Sequence, residues 1–364
     1  MENVELFKYV ALFGFAIVLS IILNTIFLKF SRNLGQRNID EGLVRWSTVS
    51  KPSLGGISFY IIFLVTYSVY SIFFNRGTDL LNIQHIGILI SAGAAFLMGL
   101  TDDAYNTNPL LKFVVQVSCG LILILTGTYI SIFELALFNY LLTVLWVVAV
   151  MNSINMLDNM DSITTLVSIF IVFTAMNCAW ISPDYNYFFM TILVGVAAAL
   201  IGFLFFNWSP AKMFMGDTGS QFLGLFLAAI GIIFFWNNKG ISGTEAVTKQ
   251  LTIVILAFIV PICDTGTVII NRMRRGQSPF VGGRDHTTHH LGYLGLNDKN
   301  VARAIALISF ISYILIYLIV YKFHTWSYGL TAIFLSYFVL VFGFLFGITQ
   351  LPKTKKKFQE NNAK

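Results

Sequence analysis

Charge is what this chain of 364 residues is shortest of. Only 11% of it is Asp, Glu, Lys or Arg, where soluble domains carry about 25%, which excludes an ordinary water-soluble globule. Cysteine is scarce as well. Cys119, Cys178 and Cys263 each sit inside an apolar run, give no metal spacing and no obvious disulfide pair, and fit the role of a small buried hydrophobe. There is no H-E-x-x-H, and the histidines clustered at 286–290 have no cysteine partners, which argues against zinc. The N-terminus MENVELFKYV lacks a basic start and a small-residue cleavage site, so it reads as the beginning of a first span and not as a signal peptide. No polar stretch is long enough for a separate soluble domain. Residues 1–351 read as one transmembrane domain, and 352–364 as a basic cytoplasmic tail without fixed structure.

Apolar sequence is what fills the chain. Hydrophobic residues make up 57% of it and recur in long runs, and about 20 such residues cross a hydrocarbon core of about 30 Å as a helix. The expected fold is therefore all-α: a polytopic membrane protein with about 11 spans, at 6–30, 55–74, 83–101, 110–127, 140–157, 162–182, 188–206, 219–237, 250–270, 302–321 and 327–348. The segment 128–139 is too short to cross and reads as interfacial. Eighteen of the 23 basic residues fall on one set of connections, leaving Lys8, Arg76, Lys239, Lys249 and Lys322 on the other. The positive-inside rule then puts the N-terminus outside and the C-terminus in the cytoplasm. The net charge of +6 calls for no nucleic acid, since the basic face lies against anionic lipid.

Four unusual polar clusters share the basic side: TDDAYN at 101–106, NSINMLDNMDS at 152–162, NWSPAKMFMGDTGS at 207–220 and GGRDHTTHH at 282–290. Asp102 and Asp103 form a carboxylate pair suited to a proton or a hard cation, or else a solvated turn. Lys112, nine residues on, either snorkels or holds a phosphate. Asn152, Asn155, Asp158 and Asp161 recur every three residues, a stripe on one helix face that is costly at a membrane edge unless paired, wet or metal-bound. Asp217 sits between glycines at the start of a span, where backbone N–H groups favour an anion and a metal would bridge the two. Asp264 is an intramembrane acid, a functional suspect unless Arg272 and Arg274 pair with it. Arg284, His286, His289 and His290 suit a phosphate-rich ligand. Acids for Mg²⁺, cations for phosphate and an amide–carboxylate pocket together point to phosphoryl transfer where lipid meets cytosol.

In this order, KPSLGG, TDD, NSINMLDNMD, FMGDTGS and the histidine loop resemble the polyprenyl-phosphate N-acetylhexosamine-1-phosphate transferases, relatives of the muramoyl-pentapeptide phosphotransferases. The resemblance covers about 51–291. It implies transfer of N-acetylhexosamine-1-phosphate, with GlcNAc the first expectation, from a UDP-sugar to undecaprenyl phosphate, releasing UMP and opening a cell-surface polysaccharide pathway. It implies Mg²⁺, or Mn²⁺ in its place, and a site on the cytoplasmic face of a bacterial inner membrane. It implies Asp102 and Asp103 as catalytic, Asn155 and Asp217 as metal ligands, and Lys112, Asp158, Asp161, Arg284, His286, His289 and His290 as substrate-binding. The family's D-G-x-D-G is here Asp158-Asn159-Met160-Asp161-Ser162, with both glycines replaced, and G-G-[RK]-D-H-x-x-H describes the histidine loop better than H-x-H-H. The HHH-F-E signature of the muramoyl-pentapeptide branch is absent. Oligomeric state is left open, a homodimer among the options. A transporter with a cytoplasm-facing polar site is the rival from another class, but its site is expected near the midplane. The D-G-x-x-A-R signature of CDP-alcohol phosphotransferases is missing.

Overall fold

A computed structural model describes residues 3–33, 51–74, 82–182, 185–239, 246–278 and 283–352. The basic residues Arg37, Arg45 and Arg76, Gly282 of the histidine motif and the tail from 353 fall outside them. Thirteen α-helices follow in order: α1 (Asn3–Asn33), α2 (Gly55–Val69), α3 (Ile83–Tyr105), α4 (Pro109–Leu125), α5 (Ala136–Leu157), α6 (Ile163–Ile181), α7 (Tyr187–Asn207), α8 (Gly216–Gly231), α9 (Val247–Ala257), α10 (Ile259–Arg274), α11 (Thr287–Tyr293), α12 (Asp298–Lys322) and α13 (Tyr328–Thr349). No strand occurs among the described residues. Short π turns extend α2 to Phe74 and α8 to Trp236.

Local sequence sets the helix starts. Asn82, Asn108, Asn186, Asn297 and Ser327 each precede a helix and accept a backbone N–H of its first turn. This satisfies a donor that has no intrahelical partner. Pro109 follows Asn108 at the first helical position, where a missing N–H costs nothing.

All the expected spans are helical, but two differ from expectation. The fourth, α4, has 17 residues, at the lower limit for a full crossing. The ninth is broken: α9 and α10 meet at 77°. Pro261 is the cause. It has no N–H to give, and its ring clashes with the carbonyl four residues back; that residue is Ala257, where α9 stops. The chain is a multi-pass membrane protein with nine helices long and apolar enough to cross, or ten with the bent pair, among the described residues. The segment 128–139 is irregular up to Leu135, and its last residues open α5 at Ala136.

The core is one apolar cluster running from Tyr9 in α1 to Ile348 in α13. α8 lies at its centre, with nearly all its residues buried. α2 and α3 can reach α8 because glycines line the contact. A Cβ on Gly56 would stand 2.1 Å from the Gly219 nitrogen, so only glycine lets these two backbones meet. Where the chain enters α2, Pro52, Gly55 and Gly56 exchange backbone hydrogen bonds with Phe214 and Met215, and so tie KPSLGG to the start of α8.

Ser162, where the family pattern has glycine, adopts φ +65°. The backbone of a glycine is retained with a side chain on it, a conformation that costs an L-residue about 1–2 kcal/mol. Its hydroxyl donates to the Asp161 carbonyl at 2.7 Å, which offsets part of that. Ser162→Gly is expected to unfold within about 0.5 kcal/mol of wild type, and Ser162→Val about 2 kcal/mol lower, because a β-branched residue tolerates positive φ worst. Chemical unfolding in detergent checks this; equal stability for the valine variant would refute the strain.

Candidate active site

The polar clusters meet where α3, α5 and α10 end and α4, α6 and α8 begin. At the centre is the junction of α3 with α8. Asp103 faces the first turn of α8: its Oδ1 accepts the Asp217 N–H at 3.1 Å, and its Oδ2 accepts the Thr218 N–H at 2.9 Å and the Thr218 hydroxyl at 2.6 Å. A carboxylate from another helix thus caps α8 where free N–H groups and the helix dipole favour negative charge. Gly216 lets it approach. Its φ is +71°, and a Cβ there would meet Asp103 Oδ2 at 2.7 Å.

Asp102 points the other way. Its Oδ1 accepts from Thr107 N and Oγ1 at 2.9 and 2.7 Å, and its Oδ2 pairs with Lys112 at the start of α4. Lys112 therefore does not snorkel free of the cluster. The Asp102 carboxyl also lies within hydrogen-bonding reach of Asp217. Asp217 Oδ1 in turn receives Asn155 Nδ2 at 2.5 Å, and Asn155 Nδ2 also reaches Ser220 Oγ at 2.8 Å. Asp102, Lys112, Asp217 and Asn155 form one linked group. A turn further along these helices, the Gln116, Asn152 and Gln221 amides bond to one another.

The stripe expected of Asn152, Asn155, Asp158 and Asp161 does not form one face. α5 ends at Leu157, and Asp158 leaves helical geometry with ψ 50°, so later residues no longer follow the helical period. Asp158 is half-buried, and its carboxylate accepts no hydrogen bond from the described residues. Burial, then the charges of Asp217, Asp103 and Asp161, push its carboxyl up to about 8. Asp161 turns away: its Oδ2 accepts the Ala211 N–H at 2.8 Å and lies 3.6 Å from Lys51 Nζ. It holds together KPSLGG, the α5–α6 turn and the loop before α8.

The histidine loop is pinned on two sides. Asp264, fully buried in α10, lies 2.7 Å from His286 Nδ1 and accepts from Thr287 N and Oγ1 at 2.8 and 2.6 Å. The expected pairing of Asp264 with Arg272 or Arg274 does not occur. Arg272 instead grips Asp285 with two hydrogen bonds of 2.9 and 2.7 Å, joined by Arg275 at 3.2 Å. Burial opposes charge on His286, but Asp264 outweighs it and raises the imidazole above its usual range. Burial and the neighbouring His286 lower His289 to about 3, so it is neutral at physiological pH. His290 packs edge-on against Tyr293, whose hydroxyl donates to the Arg284 carbonyl at 3.1 Å. On the other side, the Thr288 hydroxyl donates to Asn159 Oδ1 at 2.7 Å.

The central cluster is acidic: Asp102, Asp103, Asp158 and Asp217 gather there, and Lys112 pairs with Asp102. Two carboxyls within hydrogen-bonding reach repel unless a proton or cation lies between them. The donors are all hard oxygens, the chemistry of Mg²⁺, which is usually held by one or two carboxylates with water and substrate phosphate supplying the rest. No three His, Cys, Asp or Glu side chains converge as a protein-only cage among the described residues. Asp217 and Asn155 fit such an ion, with Asp102 and Asp158 beside them.

Comparisons with known proteins now bear on this geometry. The model of glycosyl transferase family 4 matches residues 85–235. A probable undecaprenyl-phosphate N-acetylglucosaminyl 1-phosphate transferase of Bacillus subtilis is 28% identical over 71% of this chain and 71% of its own length. A decaprenyl-phosphate N-acetylglucosaminephosphotransferase of Mycobacterium leprae is 27% identical over 70% of each. A phospho-N-acetylmuramoyl-pentapeptide-transferase of Bacillus thuringiensis is 30% identical over 60% of this chain and 73% of its own. The chain belongs to glycosyl transferase family 4. As a family 4 phosphotransferase it carries Asp102, Lys112, Asn155, Asp158 and Asp217 within the matched region and its histidine loop beyond it. Sequence reasoning missed Thr218 and Ser220 at the centre, and Asn159, Thr288, Arg272 and Asp285 around the loop. All but Arg272 stood inside a polar cluster singled out for chemistry, but the partner of each lies outside its own cluster, and nothing local connects the two.

Proposed function

We propose that this membrane protein transfers an N-acetylhexosamine-1-phosphate, GlcNAc-1-phosphate in the first instance, from a UDP-sugar to undecaprenyl phosphate. The observation that carries the reading is the linked group Asp102–Lys112–Asp217–Asn155, at the same end of the bundle as a phosphate-suited histidine loop. Two of the relatives are named for transfer of N-acetylglucosamine phosphate to a polyprenyl phosphate, which supports the acceptor and the first choice of sugar. A transporter has no counterpart among them, and the polar residues gather at one end of the helices, away from the midplane where transporter sites lie.

In this reading an oxygen of the lipid phosphate attacks the sugar-linked phosphorus of the donor. A P–O bond forms to the lipid phosphate, and the bond to the uridine-side phosphate breaks, its electron pair leaving with UMP. Bound Mg²⁺ would neutralise phosphate charge, held by Asp217 and Asn155. Lys112 holds the lipid phosphate as a point charge, and Asp102, fixed by Thr107 and Lys112, orients it. Asp103 acts by positioning, since its two oxygens are occupied by the start of α8. The Asp158 carboxylate has no hydrogen bond to lose and faces the donor. Arg284, His286, His289 and His290 take the sugar and diphosphate. The share of basic residues at this end of the bundle supports a site, and a C-terminus, on the cytoplasmic side of a bacterial inner membrane, where nucleotide sugars are found.

The test is UMP release by purified protein with a panel of UDP-sugars, undecaprenyl phosphate and Mg²⁺. Release that requires the lipid phosphate is expected. No release with any donor would sink the reading and favour transport.

A further inference from the structure

The wall of the site formed by the α5–α6 turn and the wall formed by the histidine loop are tied by one side chain that the family pattern lacks. Asn159 stands where the pattern has glycine. Its Nδ2 donates to the Met156 carbonyl at 3.0 Å and its N–H to the Leu157 carbonyl at 2.8 Å, so the residue is fixed on the end of α5. Its Oδ1 then accepts the Thr288 hydroxyl at 2.7 Å, across 129 residues of sequence. Thr288 is fully buried and lies between His286 and His289, while Asn159 directly follows Asp158. The His289 ring also interacts with the Asn159 main chain. On its far side the loop is already held by Asp264 and by the Arg272–Asp285 pair. Those contacts reach α10, which Ser153 ties to α5; the Asn159–Thr288 hydrogen bond joins the loop directly to the residue after Asp158 through side chains.

We propose that Asn159 and Thr288 are a positioning pair for the nucleotide-sugar donor, holding the Asp158 turn and the histidine loop at the separation a nucleoside diphosphate sugar fits. This rests on reading those two walls as the donor pocket. The pair touches neither Lys112 nor Asp102, so it bears on the donor and not on the lipid phosphate. A glycine at 159 would have no side chain to make the bond. A buried hydrogen bond between two fixed elements costs little entropy to keep, and its loss lets both walls relax before the donor binds.

The experiment is steady-state kinetics on the full-length protein with the UDP-sugar that the wild type turns over best, varying donor and undecaprenyl phosphate separately. Thr288→Val removes the hydroxyl at constant shape. It is expected to raise donor KM about fivefold, the scale of one lost hydrogen bond, with kcat and lipid-phosphate KM within about twofold of wild type. Thr288→Ser keeps the donor hydroxyl and is expected to restore donor KM. Asn159→Gly is expected to match Thr288→Val and serves where the valine variant does not fold. The double variant is expected to be no worse than either single one, as two partners of one bond should be. Unchanged donor KM in both single variants, a loss confined to kcat, or multiplying effects in the double variant overturns the pair. Absence of turnover in the wild type overturns the proposed function along with it; a working wild type with indifferent variants overturns the pair alone.

Discussion

Asp217→Asn is expected to lower turnover by about a thousandfold, the scale of losing one electrostatic group at a reacting centre, in a protein that still folds. The variant is suited to separate chemistry from structure. The first turn of α8 is capped through the backbone N–H groups of Asp217 and Thr218, which the substitution leaves in place. What changes is the charge that faces Asp102 and accepts from Asn155. An amide is a weaker ligand for a hard cation and carries no charge to hold it. Asn155→Ala, which removes a neutral partner, is expected to cost about 10- to 100-fold, as loss of a supporting ligand does. Turnover assays over a range of Mg²⁺ concentrations check both. If Asp217→Asn works within about tenfold of wild type, Asp217 is not at the reacting centre and the metal assignment falls with it.

The order of motifs was legible because each is local. TDD, GDTGS and the histidine loop are short strings, and apolar runs of span length separate them, so both the helical fold and the gathering of the clusters at one end could be read from hydropathy and charge. The break between α9 and α10 was also available, since Pro261 within an apolar run is a stop signal; the run was read as one span because its composition was uniform. What could not be read is which neighbour each polar group takes. Asp102 and Asp103 are adjacent and alike in sequence, yet one pairs with Lys112 ten residues on and the other caps a helix 114 residues away. Asp158 and Asp161 looked like one stripe, until the helix ended between Asn155 and Asp158 and the later acid turned towards Lys51. Asn159 looked like a simple departure from glycine. Its meaning lies in Thr288, which no local pattern connects to it.

Asp103→Ala is expected to remove both stability and activity, and this distinguishes it from its neighbour. The substitution leaves two backbone N–H groups and one hydroxyl at the start of α8 without their acceptor. Unsatisfied buried donors cost about 1–3 kcal/mol each, moderated where water reaches them, and the carboxylate's favourable place at the helix N-terminus is lost as well. A loss of about 3–5 kcal/mol is the expected sum, on the scale of breaking a buried charge–hydrogen-bond network. α8 is the central helix of the bundle and begins with Asp217, so a loosened first turn also displaces a residue at the reacting centre. The kinetic loss is therefore expected in kcat, with donor KM little changed, because Asp158 and the histidine loop hang on other helices. Thr218→Ala removes one donor of the three, the hydroxyl, and leaves both backbone N–H groups; it is expected to lose about 1 kcal/mol at most and to keep most turnover. Asp102→Asn should show the opposite profile, a rate loss with a small change in unfolding, since its partners Thr107 and Lys112 lie at the solvent-facing end of α3 and α4. Denaturant unfolding in detergent beside turnover measurements decides the matter. An Asp103→Ala protein as stable as wild type but inactive would return Asp103 to the role of a catalytic acid or base.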